Sequence, residues 1–245
     1  MQVAILVGGL ATRLGRLTKK RPKSMLPILG KPFLEYQLDF LRNGGVKNIV
    51  LCTGHMGEQI EDYFGDGDRF GVSIRYSREE RLLGTAGALK KAGDLLDDVF
   101  FTLYGDSYVF LDFTAVMSFF KSKNKLALMS VYKNNDKYER SNTVIAGELV
   151  TKYSKREKSD DIIYIEYGAN IFRKEALDMI PEGHYSLEEL FPRLIAKGEL
   201  LAYEANQRFY QIGSSDGLKE FQKYARDALN PRHVSGKAGK NIEGS

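Results

Sequence analysis

Residues 32–53 read PFLEYQLDFLRNGGVKNIVLCT. The part up to Gly45 has the pattern of an amphipathic helix that ends in glycine, and KNIVLCT (47–53) has the continuous apolar character of a buried strand. Upstream, QVAILV (2–7) reads as a second buried strand. Strand, helix, strand is a βαβ unit, which joins parallel strands through a crossover. The alternation continues with a helix over 56–64, a strand over 72–77, a helix over 84–96 and a strand over 98–104. The expected fold is therefore α/β: a single Rossmann-like, doubly wound, mixed but mainly parallel sheet with helices on both faces.

Beyond residue 110 the pattern is more varied. Helices are expected at 114–121, 186–197 and 215–228, with strand-like runs at 125–132, 142–147, 149–154, 162–166, 199–204 and 208–212. No internal repeat or Pro/Ser-rich linker divides the chain, so one domain is expected over 1–228. Residues 229–245 have no apolar period and read as a flexible tail.

At 245 residues and 43% hydrophobic, the chain can bury a sizeable core. Its single cysteine, Cys52, rules out an intramolecular disulfide framework and a Cys-rich zinc site, and it lies in an apolar run where it reads as core. That fits a reducing compartment, and a cytoplasmic location is expected. No apolar run approaches the roughly 18 to 20 residues of a membrane span, and VAILV is too short for a secretory leader. A net charge of +4 is mild, and without a broad basic face or interleaved aromatics it gives no support for a nucleic-acid partner. The three histidines show no metal spacing, and GDGDRFG (65–71) lacks the ligand pattern of a calcium loop.

The first strand runs into VGGLATRLGRLTKKRPKSMLPI (7–28), which holds six cationic residues between Arg13 and Lys23 and no acid. In doubly wound sheets ligands bind at the carboxyl ends of the strands, so this loop faces the expected site. Neither the Walker spacing nor G-x-G-x-x-G occurs in it. Gly8 and Gly9 let backbone N–H groups approach a polyphosphate, and Thr12 adds a hydroxyl. Arg13 offers a fork of donors and Lys23 a point charge. Arg16, Lys19, Lys20 and Arg21 read as a solvated face.

With its neighbours this loop resembles the signature of the sugar-1-phosphate nucleotidyltransferases, in the heptose, mannose and N-acetylmuramate branch. LVGGLATRL and RPKSMLPILGKPFLEY are followed in the expected order by LLGTAGALKKA (82–92), LYGDSY (103–108), YGANIFRKEALDMIP (167–181) and YQIGSSDGLKEF (210–221). The likeness covers residues 1 to about 228. It implies the glycosyltransferase-A-like fold, and transfer of a nucleoside monophosphate from an NTP to a sugar 1-phosphate with release of pyrophosphate, supported by Mg²⁺. The attacking phosphate is already an anion near neutral pH, its second pKa being about 6, so a scarcity of His and Cys is expected.

By resemblance, Arg13, Lys23 and Asp106 are catalytic, and Asp106 holds the metal together with the residue at Gln211, where the family commonly has aspartate. Leu6, Gly8, Gly9, Leu10, Ala11, Thr12, Glu79, Gly84 and Thr85 would contact the nucleotide. Glu79, able to accept two hydrogen bonds, leans toward guanine, with an exposed surface acid as its alternative reading. Gly105, Lys155, Glu166 and Gly168 would contact the sugar phosphate, Glu166 standing where the family usually has asparagine. The resemblance permits a homo-oligomer. The weaker magnesium ligand at 211 leaves a second reading open, a catalytically weak homologue that binds a nucleotide or sugar nucleotide as a regulatory or partner subunit.

Overall fold

The structure is a computed structural model that describes residues 1–10 and 12–229, the side chains of Thr12 and Arg13 excepted. Ala11 and the expected tail from residue 230 onward lie outside these residues. In chain order the elements are β1 (Gln2–Leu6), β2 (Pro27–Ile28), β3 (Lys31–Pro32), α1 (Phe33–Asn43), β4 (Asn48–Thr53), α2 (Gly57–Phe64), β5 (Ser73–Arg78), α3 (Gly84–Lys91), β6 (Val99–Tyr104) and β7 (Ser107–Tyr108). They continue with α4 (Phe113–Lys121), β8 (Ala127–Lys133), β9 (Thr143–Ala146), β10 (Leu149–Tyr153), β11 (Tyr164–Arg173), α5 (Leu187–Ala196), β12 (Leu200–Glu204), β13 (Tyr210–Gln211) and α6 (Ser215–Tyr224). Short 3₁₀ segments occupy 12–18, 23–25 and 174–179, among others.

Among the described residues, nine strands form one sheet in the order β5-β4-β1-β6-β11-β8-β12-β10-β9. The first four are parallel, as expected. The remainder corrects the expectation of a mainly parallel sheet, because β11 runs antiparallel to both β6 and β8, and β10 antiparallel to β12 and β9. Only β8 and β12 restore a parallel pair. The sheet is evenly mixed.

Side-chain alternation along the strands supplies both faces. Val3 and Ile5 of β1 join a core with α1, α2 and α4 through Leu34, Leu38, Ile60, Phe64, Phe113 and Phe120. Ala4 points the other way, into a core with Ala86 and Leu89 of α3 and Leu190, Phe191 and Leu194 of α5. Helices do cover both faces, as the reading required. A third, aromatic cluster fastens α6 through Phe221, whose ring lies 4.9 Å from Phe33 and 5.0 Å from Tyr108.

β11 extends well past the expected strand end at 166. Between Glu166 and Asn170 it advances four residues while its partner β8 advances two, from Val131 to Met129. Gly168, at φ +91°, makes that bulge, and a Cβ on it would sit 3.1 Å from Ser107. Bulges beside a site re-aim neighbouring side chains, and this one governs Glu166. No helix among the described residues is long and apolar enough to cross a membrane.

Candidate active site

β1 is flanked by β4 on one side and β6 on the other, so the strand order reverses there and a crevice opens at the carboxyl ends of β1 and β6. Two turns leave this crevice side by side. Gly105 N donates to Leu6 O at 3.0 Å, and a Cβ on Gly105 would lie 2.5 Å from Val7 Cγ1 and 2.7 Å from Leu6 O. Only glycine permits that approach. The buried amide of Gln37, from α1, donates to the carbonyls of Tyr104 (2.9 Å) and Ser107 (2.7 Å) and so fixes the turn between β6 and β7. Asp106 sits at the tip of this turn.

A cavity of about 420 Å³ occupies the crevice. The loop after β1 lines it through Leu6, Gly8, Gly9 and Leu10, and Lys23 reaches in from the 3₁₀ turn 23–25. Lys23 Nζ lies 2.6 Å from Asp106 Oδ2, with both side chains about four-fifths covered (21% and 20% exposed). Arg16, Lys19, Lys20 and Arg21 are exposed, the solvated face expected of them. Cys52 is buried core, and it also forms part of the cavity floor.

Glu79, immediately after β5, enters the same cavity. Its Oε2 accepts from Leu83 N at 3.0 Å, while Oε1 would lie 2.9 Å from a Cβ on Gly8 and 2.8 Å from one on Gly54. Two glycines thus make its berth. Burial raises its carboxyl above the ordinary value, against the opposing pull of the Leu83 N–H, His184 and Lys91. Gly84 and Thr85 open α3, as expected. Gly84 has φ +73°, and a Cβ there would sit 2.6 Å from Tyr185 O. Residues 183–187 are stapled to this helix start: Ala86 N and Gly87 N both donate to Tyr185 O, Tyr185 N donates to Leu83 O, and Leu187 N donates to Thr85 Oγ1 at 2.8 Å. The Thr85 hydroxyl therefore holds the cavity wall together.

A second cavity, of about 210 Å³, adjoins the first and shares Tyr104 and Asp106 with it. Lys155, Glu166, Gly168 and Gln211 line it, as does Asn142. Glu166 is 7% exposed. Its Oε1 accepts from Tyr104 OH (2.8 Å) and Asn170 Nδ2 (3.1 Å), its Oε2 accepts from Tyr153 OH (3.0 Å), and its backbone N–H donates to Asn142 Oδ1. Desolvation, then the Glu166 charge, push both tyrosine hydroxyls well above their ordinary range, so they remain donors. Lys155 is exposed at the rim, 3.6 Å from Glu188. β13 pairs with β7 and sets Gln211 opposite Ser107. Gln211 Oε1 and Asp106 Oδ2 lie 3.2 and 3.4 Å from the position a Cβ on Gly213 would take, so both oxygens sit beside that glycine. Among the described residues no group of three His, Cys, Asp or Glu side chains is placed to hold a metal.

The nucleotide candidates other than Ala11 and Thr12 therefore meet Lys23 and Asp106 in one cavity, and Lys155, Glu166, Gly168 and Gln211 line the next. Gly105 departs from expectation, lining the first cavity and not the second. Ala11 and the side chains of Thr12 and Arg13 fall outside the described residues.

A sequence profile of the Nucleotidyl transferase family matches residues 2–227. The chain belongs to that family. It is 35% identical over 228 residues to the UTP–glucose-1-phosphate uridylyltransferase of Synechocystis sp., covering 85% of this chain and 58% of that protein. Against the D-glycero-alpha-D-manno-heptose 1-phosphate guanylyltransferase of Campylobacter jejuni it is 34% identical, covering 90% of this chain and 98% of that one. This family member thus spans a little over half of the Synechocystis protein and nearly all of the Campylobacter one. Among solved structures, HddC from Yersinia pseudotuberculosis complexed with GMP-PN superposes with a TM-score of 0.78 at 25% identity, covering 91% of this chain and 98% of that chain.

Tyr104, Asn142 and His184 are among the lining residues that the sequence reading did not assign to the site. Tyr104 stands two residues before Asp106 on the same strand end and was legible as a neighbour of the motif. Asn142 gave no local signal, and neither did His184, which reaches the first cavity from a loop about one hundred residues beyond Gly84.

Proposed function

We propose that the chain transfers a nucleoside monophosphate from a nucleoside triphosphate to a sugar 1-phosphate, releasing pyrophosphate and an NDP-sugar. The observation that carries this reading is the pair of adjoining cavities with Asp106 in their common wall and Lys23 at 2.6 Å from it. The first cavity has the glycine-lined approach and the acceptor Glu79 suited to a nucleotide. The second has the polar lining suited to a sugar, with Lys155 at its rim for the phosphate. Guanine is the base favoured by Glu79, whose carboxylate can accept from the base's N–H edge, and the Campylobacter relative is named as a guanylyltransferase. The strand order supports a doubly wound core of the glycosyltransferase-A-like kind, extended by an antiparallel wing. A reducing, cytoplasmic setting is consistent with one buried free cysteine.

In the reaction a phosphate oxygen of the sugar 1-phosphate forms a bond to the α-phosphorus, and the bond from that phosphorus to the β-bridging oxygen breaks. Its electron pair leaves with pyrophosphate. The attacking oxygen is already ionised, so no side chain need remove a proton, and positioning and positive charge carry the rate. Lys23 supplies that charge at the junction of the cavities, and Arg13 is assigned the leaving pyrophosphate. Asp106 and Gln211 both place a hard oxygen beside Gly213 and are the residues that would hold Mg²⁺. When bound, the ion would neutralise charge on the phosphates. Lys23 holds the phosphates in register, Asp106 orients Lys23, and the 104–107 turn keeps both in place.

The test is pyrophosphate release with Mg²⁺, crossing the common NTPs and dTTP with a panel of sugar 1-phosphates. One productive pair is expected, with GTP first among the nucleotides. Asp106→Asn should abolish that release while thermal unfolding stays near the wild-type temperature; full activity in this variant would remove Asp106 from the mechanism.

A further inference from the structure

The second cavity carries an unusual charge pattern for a site that must receive a phosphorylated sugar. Three acids line it, Asp106, Glu139 and Glu166, against one lysine among the described lining residues, Lys155. Asp106 is matched by Lys23, and Lys155 lies 3.6 Å from Glu188. Among the described residues no cation lies against Glu166. It is a buried carboxylate held by three neutral donors, Tyr104 OH, Tyr153 OH and Asn170 Nδ2. Oε1 takes two of them and Oε2 one, which leaves Oε2 with capacity for a further donor. What this wall can accept is a hydroxyl or an amine; what it repels is another carboxylate.

Resting on the proposal that this cavity takes the sugar, we infer that Glu166 selects the acceptor by charge: the site admits neutral, hydroxyl-bearing sugar 1-phosphates and rejects those that carry a carboxylate, whether as a uronic acid or as an acidic ether substituent. Two like charges about 5 Å apart at an effective dielectric of about 20 weaken binding on the order of a hundredfold. A hydroxyl at the same position gains a hydrogen bond to a charged acceptor, which is stronger than one to a neutral group. An asparagine at 166 would lack the charge and would discriminate far less.

The experiment uses the best NTP and sugar 1-phosphate pair as a reporter and measures inhibition by glucose 1-phosphate and by glucuronic acid 1-phosphate, which differ at C6 by CH₂OH against COO⁻. In the wild type the glucuronate compound is expected to bind at least about tenfold more weakly. Glu166→Gln keeps the shape and hydrogen-bonding length of the side chain and should close most of that gap. Tyr153→Phe removes a donor but leaves the charge, and should retain it; thermal unfolding of both variants reports whether the cavity still folds. Equal inhibition in the wild type, no inhibition by either compound, or a gap unchanged in Glu166→Gln would overturn the inference. Absence of pyrophosphate release from every pair in the wild type would instead overturn the transferase reading, and this inference with it.

Discussion

Glu79 shows how a single side chain ties stability to the site. Its carboxyl is raised chiefly by burial, so the folded protein binds that proton more tightly than the unfolded chain does. The sign follows: the ionised group costs stability at neutral pH, and that cost disappears as pH falls through its raised folded value. Glu79→Gln, which keeps the acceptor for Leu83 N–H, should therefore melt at or above the wild-type temperature at pH 7.5. The difference should shrink as pH falls toward the ordinary carboxyl value of 4.5. A pH-independent difference would show that charge is not the cause. Gln211 is the second residue with a measurable signature. Its oxygen and that of Asp106 both sit beside Gly213, yet a neutral amide is a weaker ligand for a hard cation than a carboxylate. Gln211→Asp should lower the Mg²⁺ concentration needed for half-maximal pyrophosphate release, and an unchanged requirement would remove Gln211 from the metal shell.

Among the elements, β1 and β6 and the turns leaving them determine whether the crevice exists. Gly105→Ala would drive a Cβ into Val7 Cγ1 and Leu6 O, an overpacking whose typical cost is about 1–3 kcal/mol. Chemical denaturation should show that loss, and pyrophosphate release should fall more than the stability does, because the Asp106 turn must move to relieve the clash. The elements around this crevice were legible because strand and helix periods alternate cleanly up to Tyr104. β11 was legible only in part. Its residues from Ile165 to Phe172 are buried without a break, so no period of two marks them, and Gly168 interrupts the run with a conformation that only the folded sheet requires. The pairing direction was equally hidden, since a strand buried on both faces reads the same whichever way it runs. The two-residue strands β7 and β13 are too short to leave any pattern, although they set Gln211 beside the Asp106 turn.

At the scale of the whole molecule, the C-terminal helix α6 closes the structure over the third core. Phe221 is fully buried there among Phe33, Tyr36 and Tyr108. Phe221→Ala should cost about 3–5 kcal/mol in chemical unfolding, the usual penalty for emptying so large a buried volume. A loss much below that range would mean that α6 is fastened elsewhere. The residues of the candidate site were legible as motifs, Gly8, Lys23, Glu79, Gly84 and Asp106 each beside a strand end. The resemblance already separated a nucleotide set from a sugar-phosphate set; what was not legible is the wall between them, which depends on β11 entering the sheet antiparallel and bringing Glu166 and Gly168 beside Tyr104. That shared partition at Tyr104 and Asp106 has a kinetic meaning. A ligand that occupies both chambers at once is tethered across a single wall, and each half holds the other at an effective concentration in the millimolar range for short links. The joined compound would consequently leave more slowly than either of its halves.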